Sequence, residues 1–501
     1  MSDSPASRVP DRAPRQRERS TADDRAYAML IDGEWVRTSA GGEFHCVDPY
    51  TEQCWGSVPQ ADAADVHRAV AAARRAFDRD GWPQTPPAER ARLLRRLAGL
   101  IDAQAEALAY QQIRENGKLW SEMRPGIDAI VRACHFFAGL AESSGGITVP
   151  SHGFTTYTVR EPLGVVAAVT PWNSPLALLG WKLFPALAAG NTLVVKPSEV
   201  TPTSSLLFAE RVQEAGFPPG VVNVLTGYGV PTGAALVGHP GVDKIAFTGS
   251  TAAGKVLART AAERCARVSL ELGGKSPNII FADASLEAAV AGVIAGVFAA
   301  TGQTCVAGSR VLVERSVYDE FADRLVAGAR ALRAGDPLDP ATQLGPVASR
   351  AQLEKILGYF AIASEEGLER LTGGQRMDRD GWFVEPTVYG PVSNACRVAR
   401  EEIFGPVACL IPFGSEDEAI AIANDTPFGL AAGVWTENLR RAHRVVARVR
   451  AGTVWVNNYR QLSHTLPFGG FRQSGIGREL GPDALHEYTE VKSVWIDSGA
   501  R

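Results

Sequence analysis

Three polar side chains of this sequence combine a nucleophile, an acid–base group and an amide. Cys305 lies in GQTCVAG, whose glycines and polar residues indicate an accessible turn. Because a cysteine thiolate is a nucleophile, we separate it from the other six cysteines, which we expect to be small core residues. Glu271, in LELGGKS, is either an exposed loop acid or a general base. Asn173, in PWN, follows another apolar run. All three are predicted at strand ends that face one crevice.

The elements that position them alternate from about residue 163 onward. Short apolar runs are each followed by a turn and a helical segment. Apolar strands that alternate with helices are typical of a parallel sheet covered on both faces. The predicted strands are residues 165–170, 192–198, 221–227 and 244–250, and the predicted helices are residues 176–189, 204–215, 233–238 and 252–262. The pattern predicts a doubly wound sheet, which binds dinucleotides at the carboxyl ends of its strands.

Further elements surround this unit. Two helical segments precede it, and a second α/β unit follows it; the segments are residues 61–77 and 87–115 before it, and 278–281, 288–300, 310–314, 317–334 and 407–413 after it. Residues 154–162 and 490–497 alternate like exposed edge strands, which need a covering. The predicted fold class is therefore α/β, with a doubly wound parallel-sheet dinucleotide-binding domain, a second α/β domain and a small β element.

Composition narrows the class of protein. The chain has 501 residues, of which 45% are hydrophobic, so it is long enough for two or three domains with buried cores. A net charge of −4 gives no electrostatic footprint for nucleic acid or acidic membranes. The most apolar stretch, residues 288–300, is too short to span a bilayer of roughly 30 Å. Its Gly292-x-x-x-Gly296 pattern predicts a buried helix packed closely on a neighbour.

The number and spacing of the cysteines indicate the redox state of the compartment in which the protein is found. The seven cysteines are scattered and include no C-x-x-C pair, so we expect neither a metal site nor a disulfide framework. A reducing cytoplasm fits this pattern best. Residues 1–25 lack an apolar stretch and mix acidic with basic residues, which favours a disordered tail over an export signal.

Three glycine patterns could bind the phosphates of a dinucleotide. The patterns that begin at Gly227 and at Gly475 place their third glycine one position late for G-x-G-x-x-G. Gly249-Ser-Thr-Ala-Ala-Gly254 lies between a clear strand and a clear helix, whose first amides suit a pyrophosphate. A purely structural turn is an equal alternative for each pattern.

Lys196 and Glu199 follow the predicted strand TLVV, where a doubly wound sheet contacts a nucleotide. A carboxylate there accepts hydrogen bonds from ribose hydroxyls and repels a 2′-phosphate, so Glu199 favours NAD, whereas Lys196 leaves NADP open. A solvated loop pair is the alternative interpretation.

With these features in place, the sequence resembles the aldehyde dehydrogenase superfamily from about residue 30 to residue 497. The matching stretches, in family order, are TPWNSPL, LVVKPSE, FTGSTAAGK, LELGGKSP, GQTCVAGSR, EEIFGPV and PFGGFRQSGIGRELG. The separation of Glu271 from Cys305 also matches the family.

The resemblance implies NAD(P)-dependent oxidation of an aldehyde to a carboxylic acid. Cys305 would attack the carbonyl to give a thiohemiacetal and then a thioester. Asn173 and the Cys305 backbone N–H would form the oxyanion hole, and Glu271 would activate the hydrolytic water. Lys182 matches a lysine near the thiol. The residues implied to contact the coenzyme are Thr170, Trp172, Lys196, Glu199, Gly249, Ser250, Glu402 and Phe404. The two late glycine patterns then become structural turns.

The resemblance also indicates a mostly apolar aldehyde tunnel. Its expected lining is Ala177, Leu178, Trp181, Leu462, Thr465 and Phe468. Arg460 is expected near the mouth, where it is either a surface arginine or an anchor for the carboxylate of a semialdehyde. Two positions depart from the family: Arg472 replaces a frequent lysine, and Thr304 stands where relatives can carry a second cysteine.

The implied domains are residues 26–150 and 163–273 for NAD binding, residues 274–473 for catalysis, and residues 151–162 and 474–501 for oligomerisation. We expect a homodimer or homotetramer with a small-molecule aldehyde as substrate. One alternative is a CoA-acylating semialdehyde dehydrogenase, against which Glu271 argues. The other is a non-catalytic structural or binding protein on the same fold, against which the intact set of Cys305, Glu271 and Asn173 argues.

Overall fold

The computed structural model describes residues 25–37, 42–143 and 145–499. The predicted tail, residues 1–25, lies outside the described residues except for Arg25. Within the described part of the chain no helix is both long enough and apolar enough to cross a bilayer.

The first large sheet has five parallel strands at its centre, with antiparallel strands at its edges. In spatial order its strands are Gly475–Ile476, Arg267–Glu271, Lys244–Thr248, Val165–Val169, Thr192–Lys196, Val222–Val224, Met29–Ile31 and Glu34–Val36. Successive residues of one strand, such as Val165 and Val166, belong to two different hydrophobic clusters, one on each face of the sheet. Helices therefore cover both faces, and the doubly wound sheet is confirmed.

Helices flank this sheet at both faces. Asp62 and Ser250 cap two of them with side-chain hydrogen bonds, and a proline in the first turn begins three others. The helices are Ala63–Asp78, Pro87–Ala103, Ala105–Asn116, Trp120–Ser143, Pro175–Ala189, Pro202–Ala215, Ala234–Gly238, Thr251–Ala262 and Asp483–His486. The predicted single helical segment 87–115 is in fact two helices, because Gln104 leaves the helical region with φ −110° and ψ 16°. No glycine or proline marks this break; the two helices pack on the same long helix, Trp120–Ser143.

A second sheet forms the other large unit, and all but its first edge strand are parallel. Its strands, in spatial order, are Arg370–Thr372, Thr387–Tyr389, Val407–Phe413, Arg310–Glu314, Pro277–Ile280, Ala431–Trp435 and Thr453–Val456. Its helices are Leu286–Val297, Tyr318–Arg330, Arg350–Glu365, Arg397–Arg400, Glu416–Asn424 and Leu439–Arg448. A Cβ on Gly292 would lie 2.1 Å from Trp435, which confirms the close helix contact.

Two smaller three-stranded sheets complete the fold; their strands pair antiparallel except that Arg25–Ala26 runs parallel to Cys54–Pro59. Thr489–Asp497, Phe154–Pro162 and Thr148–Ser151 form one sheet, and Arg25–Ala26, Cys54–Pro59 and Glu43–Val47 form the other. The predicted edge strands thus pair with each other over nine residues. Residues 474–488, expected in the oligomerisation element, pack elsewhere: Ile476 pairs with Leu270 of the first sheet, and Leu485 lies in that sheet's core.

Candidate active site

A cleft of about 590 Å³, including its open mouth, lies at the carboxyl ends of the strands Val165–Val169 and Lys244–Thr248. These neighbouring strands are the point where the strand order of a doubly wound sheet reverses, and such crevices bind ligands. The cleft is lined by Pro171, Trp172, Asn173, Leu178, Thr248, Gly249, Ser250, Glu271, Leu272, Gly273, Cys305, Gln352, Lys355, Glu402 and Phe404. Cys305, Glu271 and Asn173 therefore share one cleft, as the sequence predicts.

Cys305 follows a tight turn at the end of the helix Leu286–Val297. Ala300, Thr301 and Gly302 all adopt positive φ, and a Cβ on Gly302 would lie 2.0 Å from the Gly405 carbonyl oxygen. The turn delivers a partly exposed thiol to the cleft. Burial, with smaller contributions from the Glu402 and Glu271 carboxylates, raises the pKa of the Cys305 thiol to about 12, so the thiol needs a base.

Glu271 is the last residue of its strand, and its side chain is buried. Neither carboxylate oxygen has a hydrogen-bond partner within the described residues. Burial raises the pKa of Glu271 well above its ordinary value, and the negative charge of Glu479 adds to this effect. A buried carboxyl group with a raised pKa is suited to proton transfer at the reacting centre.

Asn173 is buried on the loop after the strand Val165–Val169. Its Nδ2 donates a hydrogen bond of 3.1 Å to the backbone oxygen of Gln303, two residues before the thiol. Since a side-chain amide has two N–H groups, this contact leaves one of them for an oxyanion in the cleft.

Lys182 is fully buried, and its Nζ donates to Thr248 Oγ1 and to a carboxylate oxygen of Glu479. The sequence prediction placed it near the thiol, but these contacts place it behind Glu271, whose pKa its charge lowers. The lysine whose positive charge lowers the pKa of the Cys305 thiol is Lys118, which the sequence analysis did not predict. Glu479 was missed as well, because it lies more than 200 positions from Glu271.

Five of the eight predicted coenzyme residues line the cleft: Trp172, Gly249, Ser250, Glu402 and Phe404. Thr170, Lys196 and Glu199 are not among its lining residues. Gly249 and Ser250 line it where the helix Thr251–Ala262 begins, and Ser250 Oγ accepts a hydrogen bond of 3.2 Å from the Ala253 amide. The positive end of this helix favours a pyrophosphate. Trp172 and Phe404 pack edge to face at 5.2 Å, and the buried Thr170 Oγ1 lacks a partner within the described residues.

Glu402 and Lys196 are two further residues that we predict to contact the coenzyme. Glu402 Oε1 accepts a hydrogen bond of 2.9 Å from the Gly274 amide, and burial raises the pKa of its carboxyl group. Lys196 is 2% exposed, and its Nζ lies 3.7 Å from Glu199 Oε2. Burial lowers the pKa of Lys196. These acceptors and donors fit the ribose and phosphate groups of a dinucleotide. Gln352, also missed, donates to the backbone oxygens of Ile403 and Phe404 and so holds this wall.

The other two glycine patterns are tightly packed turns outside this cleft. A Cβ on Gly227 would lie 2.2 Å from Thr232 Oγ1, and one on Gly475 would lie 2.3 Å from the Leu270 carbonyl oxygen.

The predicted substrate residues do not all line the cleft. Leu178 is buried and lines the cleft, and Trp181 packs on Phe468 with ring centroids 5.3 Å apart. Ala177 is partly buried, whereas Leu462 and Thr465 are exposed. Arg460 is partly exposed, and its guanidinium donates to the Ala295 backbone oxygen at 3.2 Å. Among the described residues no group of three or more His, Cys, Asp or Glu side chains could hold a metal ion.

This combination of fold and cleft defines a class of protein: a doubly wound α/β oxidoreductase with a cysteine beside a dinucleotide-type crevice. The model of the aldehyde dehydrogenase family matches residues 35–494. The chain therefore belongs to the aldehyde dehydrogenase family, and it is an oxidoreductase that acts on aldehydes.

Known relatives agree over nearly the whole chain. Cytosolic aldehyde dehydrogenase 1 of Rattus norvegicus is 46% identical, covering 93% of this chain and 94% of its own. Human retinal dehydrogenase 2 is 44% identical, covering 93% of this chain and 91% of its own. The NAD+ complex of an aldehyde dehydrogenase from Bacillus cereus has a TM-score of 0.93 at 44% identity, covering 95% of this chain and 97% of its own.

Proposed function

We propose that this protein oxidises an aldehyde to a free carboxylic acid with NAD, through a thiohemiacetal and a thioester on Cys305. The observation that carries the proposal is that Cys305, Glu271 and Asn173 line one cleft together with the Gly249 turn. The NAD+ complexes of the Bacillus cereus enzyme and of Staphylococcus aureus betaine aldehyde dehydrogenase support the choice of coenzyme.

The first step forms a bond between sulfur and carbon. Glu271 takes the proton of the Cys305 thiol, whose sulfur attacks the aldehyde carbon while the carbonyl electron pair moves to oxygen. The remaining Asn173 N–H and the Cys305 backbone N–H stabilise that oxyanion. NAD, when bound along the Gly249 turn and Glu402, supplies the acceptor for the hydride that leaves this carbon.

The second step is hydrolysis. After the thiol proton has passed from Glu271 to solvent, Glu271 takes a proton from water, and the water oxygen attacks the thioester carbon. The carbon–sulfur bond breaks, and the leaving thiolate takes the proton back from Glu271, which restores the Cys305 thiol. The buried environment that raises the pKa of Glu271 gives it a proton affinity suited to both transfers. A base for water is what a CoA-acylating enzyme can dispense with, so Glu271 supports hydrolysis.

Two finer assignments belong to this proposal. The exposed apolar side chains Val149, Val491 and Trp495, on the sheet that contains Thr489–Asp497, support a homodimer or homotetramer. Seven free cysteines, together with a relative named as cytosolic, support a cytoplasmic location.

The test is intact-mass analysis during turnover. With a broad aldehyde panel and NAD, Glu271→Gln is expected to form NADH and an acyl adduct on Cys305 slowly, because it lacks the base for the thiol, and then to retain the adduct, because it also lacks the base for water. Cys305→Ala is expected to form neither NADH nor adduct. Acid production by the wild-type protein is expected without CoA. A strict need for CoA would favour the acylating alternative, and an absence of NADH with every aldehyde would favour the non-catalytic one.

A further inference from the structure

The turn after the helix Ala105–Asn116 contacts the Asn173 loop on both sides of Asn173. Asn116 Nδ2 donates a hydrogen bond of 3.2 Å to the Trp172 backbone oxygen. Lys118 Nζ donates a hydrogen bond of 3.1 Å to Ser174 Oγ. Because Trp172 and Ser174 are the chain neighbours of Asn173, these two hydrogen bonds bracket the predicted oxyanion donor.

The turn itself is closely held. Gly117 has φ +71°, and a Cβ there would lie 2.5 Å from Pro346 Cγ. Asn116 Oδ1 accepts a hydrogen bond of 3.0 Å from the Lys118 amide, so the Asn116 side chain bridges its own turn and the Asn173 loop. A turn fixed in this way restricts the movement of the loop that it contacts.

Lys118 also brings a charge to the site. Its side chain is 5% exposed, and burial lowers the pKa of its ammonium group to about 8. The titratable or charged groups that face it are Glu122, Arg460 and Cys305. The Glu122 carboxylate accepts hydrogen bonds from the Leu119 and Ala300 amides, and Ser174 is the hydrogen-bond acceptor of the ammonium within the described chain.

Burying an ammonium group with one hydrogen-bond acceptor among the described residues opposes folding, because its other two N–H groups have no acceptor in that part of the chain. A lysine that served only to pack would be replaced by an apolar side chain of similar length without this cost. The position of the charge beside the reactive thiol gives it a use, since a nearby cation favours the thiolate over the thiol.

We propose that Lys118, together with Asn116, is a positioning residue for this reaction: it fixes the loop that carries Asn173 and places a positive charge beside Cys305. The inference rests on the proposed function. Lys118 is expected to act mainly on the transition state, because an oxyanion donor is used only after the thiol attacks.

The experiment compares Lys118→Met, Lys118→Arg and Ser174→Ala in the full-length enzyme, with Lys255→Met as a control at an exposed lysine. We expect kcat to fall about ten-fold in Lys118→Met and Ser174→Ala, with KM for the aldehyde nearly unchanged. The rate of Cys305 alkylation by iodoacetamide at pH 7, where Lys118 is mostly protonated, is expected to fall about three-fold in Lys118→Met. It should return towards the wild-type value in Lys118→Arg and stay constant in Ser174→Ala.

A wild-type kcat and a wild-type alkylation rate at pH 7 in Lys118→Met would overturn the proposal. Equal losses of kcat in Lys118→Met and Lys118→Arg, with constant alkylation rates, would reduce the lysine to packing and overturn it too. Ser174→Ala keeps the ammonium group, so it tests the hydrogen bond even where Lys118→Met fails to fold. Alkylation needs no turnover; an inactive wild-type protein would therefore contradict the proposed function, while the alkylation rates would still test Lys118.

Discussion

The side-chain amide of Asn173 donates a 3.1 Å hydrogen bond to the backbone oxygen of Gln303. This contact joins the loop after a strand of the first sheet to the turn that carries Cys305, which precedes the strand Arg310–Glu314 of the second sheet. The oxyanion donor and the nucleophile thus have a fixed relation across the two α/β units. The functional consequences of this arrangement can be measured residue by residue.

Replacing Asn173 with alanine is expected to lower kcat by about 10²- to 10³-fold, because one donor to the oxyanion is lost. KM for the aldehyde should change little, since the ground-state carbonyl carries little charge. Steady-state kinetics of NADH formation measures both values, with the thermal unfolding temperature as the control for folding. A raised KM at constant kcat would contradict the assigned role.

Glu479→Gln is expected to move the acid limb of the kcat–pH profile to lower pH. Glu271 acts as a base only when deprotonated, so its raised pKa makes activity increase with pH. Glu479 raises that pKa, and its loss also leaves the positive charge of Lys182 uncompensated. Both changes lower the pKa of Glu271. A limb that stays in place or moves to higher pH would show that this pair does not set the basicity of Glu271.

Arg460→Leu tests the carboxylate anchor. Arg460 has no ion-pair partner within the described residues, and it lies close enough to Lys118 to lower the pKa of that lysine. We expect kcat/KM for a semialdehyde to fall about ten-fold or more, with little change for a neutral aldehyde of similar length. Arg440→Leu, at an exposed position, is the control. An equal change for both substrates would leave Arg460 without a role in recognition.

Glu199→Gln is expected to improve the use of NADP relative to NAD by about five-fold. The carboxylate is 39% exposed, so solvent screens its repulsion of a 2′-phosphate and the effect is modest. The ratio of kcat/KM for the two coenzymes measures it. An unchanged ratio would place the coenzyme preference elsewhere.

Trp495→Asp is expected to dissociate the oligomer. Trp495 is 65% exposed on Thr489–Asp497, an edge strand of the sheet that also contains Phe154–Pro162. A charge at this position opposes burial against another subunit. Light scattering at micromolar concentration should show a dimer or tetramer for the wild type and a smaller species for the variant. Leu439→Asp, at an exposed site on the helix Leu439–Arg448, is the control. A wild-type monomer would contradict the oligomer itself.

The sequence determined the strands and the reactive turns because these depend on local patterns. Residues 154–162 and 407–413 are strands with the predicted bounds, since apolar or alternating runs fix which side chains are buried. Glycines mark the turns before Cys305 and Ser250: a Cβ on Gly302 would meet the Gly405 carbonyl oxygen, and one on Gly249 would meet the Phe247 ring. The family motifs also predicted which of these turns belong to the active site, and hydrophobic periodicity does not carry that information.

Tertiary structure alone decided which side chains surround the catalytic residues Cys305 and Glu271. Lys118 acts on Cys305, and Glu479 on Glu271, from positions separated by more than 180 and 200 residues. The raised pKa values of Cys305 and Glu271 come chiefly from burial, which exists only when both sheets and their loops pack together. Desolvation and electrostatic interaction depend on distance in space, and local sequence spacing does not specify that distance.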